Sequence, residues 1–208
     1  MSGRTLTIVL LAWFLFSLIG GISGFFVTTT APPVALGLAV ILPIVLFLFF
    51  YVKQGKLYGM LQKLDLRFIV LPQVGRILGL LFIVDYFRGL LPPEFAWPAG
   101  LGDFAIGVTA PLIAYLLRSN YAHKREVFVI WNVLGIVDLV DAVTLGILHS
   151  QSSFGIFAGD PNTALLSVFP RNLVPTFLVP IFIILHIVAL YRSKEIRAVN
   201  DRATATSG

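Results

Sequence analysis

Residues 68–91 read FIVLPQVGRILGLLFIVDYFRGLL. The run is long enough to cross a hydrocarbon core of about 30 Å, which takes about 20 helical residues. It nevertheless carries Gln73, Arg76, Asp85 and Arg88. A charged side chain at mid-bilayer costs about 2.5–3.5 kcal/mol even on a forgiving insertion scale, so such groups persist only where partners on other helices face them. The stretch therefore predicts a helical bundle with a polar interior, not a lone anchor.

Five further apolar runs of spanning length occur at 5–26, 33–52, 99–117, 126–148 and 171–191. The chain, 1–208, thus reads as one all-α integral membrane domain of six spans in contact with the lipid bilayer. Composition agrees: 58% of the 208 residues are hydrophobic and 12% charged, whereas a soluble domain carries about a quarter charged residues. A soluble enzyme, a coiled coil and a disordered chain are excluded. The first run follows Arg4 as a signal peptide's would, but it exceeds the 7 to 15 apolar residues of about that class and is followed by Pro32 and Pro33, so it reads as a retained span.

Orientation follows from the basic residues. Arg4 precedes the first span; Lys53, Lys56, Lys63 and Arg67 lie between the second and third; Arg118, Lys124 and Arg125 lie between the fourth and fifth. Arg192, Lys194, Arg197 and Arg202 follow the sixth, which puts twelve of the 15 positive residues on one side. The opposite connections, 27–32, 92–98 and 149–170, hold none. The positive-inside rule then predicts cytoplasmic N- and C-termini. Because the positive charge is scattered between apolar runs, with no aromatic-interleaved stripe, nucleic acid is not an expected partner. No Asn-x-Ser/Thr acceptor occurs, in keeping with a bacterial inner (plasma) membrane.

Two connections show patterning. In 53–67, Leu57, Met60, Leu61 and Leu64 recur at helical spacing opposite the lysines, as in a surface-lying amphipathic helix. In 149–170, Asp160-Pro161-Asn162 reads as a turn, and Phe154, Ile156, Phe157, Leu165, Leu166 and Phe169 suggest a loop folded back onto the membrane face.

The candidate site residues are the polar ones inside the spans. Counting about 1.5 Å of rise per residue from the span ends gives two layers. Arg76, Asn132 and His186 fall in an inner layer, where they would bind an anion, line a gate or simply pack as a network. Asp85, Asp103 and Asp141 fall in an outer layer, with Asp138 nearer the middle and Arg88 and Arg171 at the rim. Four crowded carboxylates point to a ligand-binding site or a proton path. They are equally open to a structural lock, with Asp85 paired to Arg88 at i,i+3 and Arg171 to Asp138 or Asp141. Small-x-x-x-small patterns at Gly75–Gly79 and Gly20–Gly24 allow close helix approach. Pro43, Pro111, Pro175 and Pro180 each remove a backbone hydrogen bond within a span.

Some chemistries are excluded. Without cysteine there is no disulfide, thiolate nucleophile, iron–sulfur cluster or Cys-type zinc site. The five lysines lie outside the spans, which excludes a mid-membrane retinal Schiff base. His123, His149 and His186 lie at three depths, which excludes bis-histidine haem and a three-histidine metal site. No metal site or catalytic residue is assigned, the cofactor is left unknown, and the reading leans away from an enzyme.

The segment Gly100-Leu101-Gly102-Asp103-Phe104 resembles the Gly-x-Gly-Asp motif of intramembrane aspartyl proteases. That resemblance implies a second aspartate on the preceding span, Asp85, sharing a proton with Asp103. The order here is Asp85-Tyr86 where that family has Tyr-Asp, the spans number six where nine are usual, and no Pro-Ala-Leu motif follows. More broadly, 95–103 and 172–186 resemble an uncharacterised family of short bacterial multi-pass inner-membrane proteins, a resemblance that implies no activity. The leading expectation is a transport or binding protein for a small solute, cation or proton, as a monomer or homo-oligomer. The alternatives are an intramembrane hydrolase and a non-catalytic scaffold or sensor subunit.

Overall fold

A computed structural model describes residues 3–29, 31–119, 121 and 123–205. Within α8 the side chains of Arg197 and Arg202, counted above for orientation, lie outside the described residues. The described residues are helical, with no strand among them. Six helical segments are long and apolar enough to cross a membrane. The first two are α1 (Gly3–Ile22) and α2 (Val34–Val52). A short helix follows, α3 (Lys56–Gln62). It coincides with the amphipathic pattern in 53–67, although Leu64 falls beyond it and is exposed.

The third span, Leu66–Phe87, is composite. It comprises α4 (Leu66–Val70), a 3₁₀ segment (Leu71–Gly79) and α5 (Leu80–Phe87). Nine residues is long for a 3₁₀ helix, whose runs rarely pass three or four. Pro72 at its start contributes no N–H and fixes its own φ. In a 3₁₀ helix residues i and i+3 eclipse, so Gln73, Arg76 and Gly79 stack on one face, and all three are buried. The same step of three continues through the buried Phe82 and Asp85.

The last three spans are α6 (Pro93–Leu116), α7 (Lys124–Leu148) and one that ends in α8 (Val179–Ala205). α6 begins six residues before the expected 99, because Pro93 at the first helical position sacrifices no hydrogen bond and Pro92 precedes it in extended conformation. The final span, Val174–Lys194, opens with a π turn at Val174–Leu178. α6 is the hub: it packs on the 3₁₀ segment, α5 and α7, while α7 packs on α8. The apolar core between them includes Ile106, Ala110, Phe128, Trp131 and Val188.

The connection 149–170 divides. Leu166 is buried and Leu165 packs beside it against Phe82 and Phe95. Phe154, Ile156, Phe157 and Phe169 remain exposed. The chain bends at Asp160 and Pro161, where the turn is expected, and the Asn162 side chain caps the next helical turn by accepting from Ala164 N at 2.9 Å.

Candidate functional site

Arg76, on the buried face of the 3₁₀ segment, is 1% exposed. Its Nε donates to Asp103 Oδ1 on α6 at 2.7 Å, and its Nη2 pairs with Asp138 Oδ2 on α7. Nη1 donates to the Gly135 carbonyl at 3.1 Å and lies 3.2 Å from His186 Nε2 on α8. One guanidinium thus joins three helices, using the fixed fork of donors that distinguishes arginine from lysine. The hydrogen bonds around His186 match one ring state. Asn132 Nδ2 donates to Phe128 O, which leaves Asn132 Oδ1 to accept from His186 Nδ1 at 2.8 Å. His186 Nε2 is then the acceptor facing Arg76, the pattern of a neutral imidazole.

Glycines make the room. A Cβ on Gly102 would lie 1.6 Å from Asp138 Oδ1, one on Gly135 2.3 Å from His186 Nε2, and one on Gly79 2.4 Å from Asp103 Cβ. The Gly100-x-Gly102-Asp103 pattern therefore has a packing role here: Gly102 admits the α7 carboxylate beside the α6 one. The small-residue pattern at Gly75–Gly79 acts through Gly79, and the one at Gly20–Gly24 through Gly20, against the Phe26 ring.

A second, shallower ion pair lies at the other end of the third span. Arg171 Nε and Nη2 donate to the two oxygens of Asp85 at 2.6 and 2.9 Å. This corrects the expected lock: Arg171 takes Asp85, not Asp138 or Asp141. Arg88 and Asp141 are exposed, and no ion pair joins Asp85 to Arg88. The two expected layers are also redrawn. With α6 starting at Pro93, Asp103 lies ten residues from the helix start, about 15 Å deep, which brings it and Asp138 level with Arg76, Asn132 and His186. Asp85 and Asp103 sit on different arginines, and no hydrogen bond joins them.

Adjacent to Arg76, Gln73 donates to Phe182 O at 3.2 Å, while its Oε1 is buried without a partner. Beside Asp103 opens a cavity of about 120 Å³. Its walls are Leu36, Gly37 and Val40 of α2, Leu139 and Val143 of α7, and Phe95 of α6. Its polar end carries Ser150, Gln151, Ser152 and Thr163 of the 149–170 connection. Asp103 is the only ionisable side chain among the described lining residues. The volume approaches the roughly 150 Å³ of an apolar cavity that takes up benzene. None of the apolar wall was predictable from the polar residues, because it depends on α2 packing on α8 and the π turn while α7 faces it across the gap.

No curated protein and no solved structure matches this chain. A family described as a domain of unknown function, DUF8737, matches residues 33–193. The matched segment runs from the start of α2 through the last span and holds every member of both ion-pair clusters, and the chain belongs to this family.

Proposed function

We propose that this multi-pass membrane protein binds, and in turn passes, a small solute that carries a positive charge or delivers a proton, with Asp103 as the receiving group. One observation carries the reading: the Arg76 cluster holds two carboxylates against one guanidinium and a neutral imidazole, and one of those carboxylates faces an apolar cavity. A cation or a proton there supplies the missing positive charge, which a low-dielectric site favours strongly. The ligand-binding set is Asp103, Asp138, Arg76, Asn132 and His186, with Asp85 and Arg171 holding the third span to the last one. The hydrolase alternative needs a shared proton between Asp85 and Asp103, and the separate arginine partners give it no support.

Benzylammonium tests the reading, with toluene as its uncharged counterpart. Benzylammonium should raise the thermal unfolding temperature of the detergent-purified protein more than toluene does, and Asp103→Asn should abolish the difference. Gly146→Leu fills the cavity from a position where a Cβ makes only ordinary contacts, the nearest at 3.6 Å, so it should fold and lose both responses. Equal responses to both compounds in the wild type would refute a charge-selective site. The distribution of basic residues supports a bacterial inner membrane with both termini cytoplasmic as part of this proposal, and reporter fusions after Leu64 and at the C-terminus should then both read cytoplasmic.

A further inference from the structure

The cavity beside Asp103 is not sealed. Two of its described lining residues are exposed, Gln151 at the polar end and Ile41 on α2. Ile41 is 59% exposed although it lies seven residues past the start of α2, about 10 Å along the helix and so at hydrocarbon depth. An exposed lining residue at that depth puts the cavity in contact with acyl chains.

Helix packing gives this opening its shape. Val40 of α2 and Leu139 of α7 share one buried cluster with Val179, Phe182 and Ile183, which closes the space toward the middle of the bundle. Nearer the helix ends stand Gly37 of α2, where a Cβ would meet nothing within 4 Å, and Gly146 of α7, where it would make only ordinary contacts. α2 packs on α8 and the π turn, and α7 on α6 and α8, so the two helices wall a cleft that is shut at Val40 and Leu139 and open at Gly37. At the polar end the chain ties itself across: Thr163 Oγ1 donates to Gly146 O at 2.6 Å, and the Ser150 and Ser152 hydroxyls lie 2.7 Å apart. Inside, Asp103 Oδ1 accepts from Arg76 Nε at 2.7 Å, while its Oδ2 takes no hydrogen bond from any described residue.

We infer that the ligand of this site is a cationic amphiphile, a protonated amine on an alkyl chain, which enters from the bilayer and keeps its chain in the gap between α2 and α7. The inference rests on the cation reading of Asp103 given above and adds the chain and its route. A chain leaving past Ile41 stays in hydrocarbon, whereas one leaving past Gln151 exposes its length to water. The chain itself gains little by exchanging lipid for an apolar cleft, because lipid tails are as apolar as leucine. Selection therefore lies in the head group, through a charge-assisted hydrogen bond to a carboxylate in a low-dielectric site. A neutral lipid chain in the gap has no such anchor and exchanges with its neighbours.

The test places the full chain in phosphatidylcholine nanodiscs with a dodecylammonium that carries a diazirine at its chain terminus. Irradiation should leave adducts on the two lips of the gap, at Ile41 and Ile147. Asp103→Asn should lower them at least about tenfold, the loss of one charge-assisted hydrogen bond. Excess benzylammonium should lower them as far in the wild type, a comparison that needs no variant to fold. Adducts at Ile41 and Ile147 that benzylammonium does not reduce would be ordinary lipid contact and would overturn the inference. Displaceable adducts at Gln151 in place of Ile41 would overturn it as well, by putting the chain at the aqueous end. The underlying reading is scored separately by thermal unfolding. Benzylammonium that stabilises more than toluene but leaves the adducts unchanged keeps the Asp103 site and removes the amphiphile, whereas equal stabilisation by the two compounds removes both.

Discussion

The two N-terminal spans and the four that follow solve the membrane problem differently. α1 and α2 are among the most apolar, with mean hydropathies of 2.2 and 2.7 against 1.5 for α6, yet they are the least enclosed by the rest of the protein. α2 offers mainly apolar side chains to α8 and the π turn, whereas α6 presents Gly79's neighbour Asp103, Gly102 and Gly107 to the 3₁₀ segment and α7. Hydropathy puts a helix into lipid, but lipid tails are as apolar as leucine. Association inside the bilayer therefore comes from close packing at small residues and from polar pairs. α1 is held by the few polar bonds it has. Pro180 lacks the N–H that would reach Thr176 O in α-helical register, and that carbonyl accepts instead from Trp13 Nε1 at 2.9 Å and Ser17 Oγ at 3.3 Å.

If the central cluster is what unites the last four spans, breaking it should have the largest effect. Arg76→Leu leaves the buried Asp103 and the half-buried Asp138 without their cation, and should cost about 3–5 kcal/mol, seen as loss of a monodisperse species in detergent. Adding Asp103→Asn and Asp138→Asn should restore much of that loss, since the stranded charge, not the missing bonds, is the main penalty. An Arg76→Leu protein as stable as the wild type would show that α6, α7 and α8 are joined by apolar packing alone.

A smaller loss, about 2–3 kcal/mol, is expected for Arg171→Ala, which removes two charge-assisted bonds to Asp85 nearer the edge of the bundle. Asp85→Asn should recover part of it in the double variant, and Asp138→Asn or Asp141→Asn should not. Thermal unfolding of the four proteins gives the coupling directly. Gly102→Ala should follow at about 1–3 kcal/mol, because its Cβ needs the space of Asp138 Oδ1 and that carboxylate is fixed by Arg76.

How far the sequence carried depended on which physical quantity each feature follows. The six spans were legible because they rest on length and apolarity, and Arg76, Asp103, Asp138, Asn132 and His186 were legible as site candidates because of the cost of placing them in lipid. Their partners were not. The depth of Asp103 was misplaced because 92–98, bounded by prolines, reads as a connection between spans, although proline is tolerated in a first helical turn. The 3₁₀ segment was missed although Gln73, Arg76, Gly79, Phe82 and Asp85 step by threes, because hydropathy alone marks the span without distinguishing a period of 3.0 from one of 3.6. Glycines read as generic close-approach sites turned out to be paired with specific polar atoms, which only the registration of neighbouring helices reveals.

The smallest expected effect sharpens the contrast from the side of α1. Trp13→Phe retains a ring against Phe177, whose centroid is 5.2 Å away, and removes only the indole N–H. The Thr176 carbonyl keeps Ser17 as a donor, so it is not orphaned. The loss should therefore not exceed about 1 kcal/mol, the net worth of one neutral hydrogen bond. Trp13→Phe/Ser17→Ala removes both donors and leaves a buried carbonyl without either side-chain partner. That double variant should cost more than the sum of the single changes, since each single change leaves the other donor in place. Thermal unfolding of the three variants measures this, and strict additivity would mean that the π turn satisfies the Thr176 carbonyl by itself and that α1 is held by its aromatic contacts.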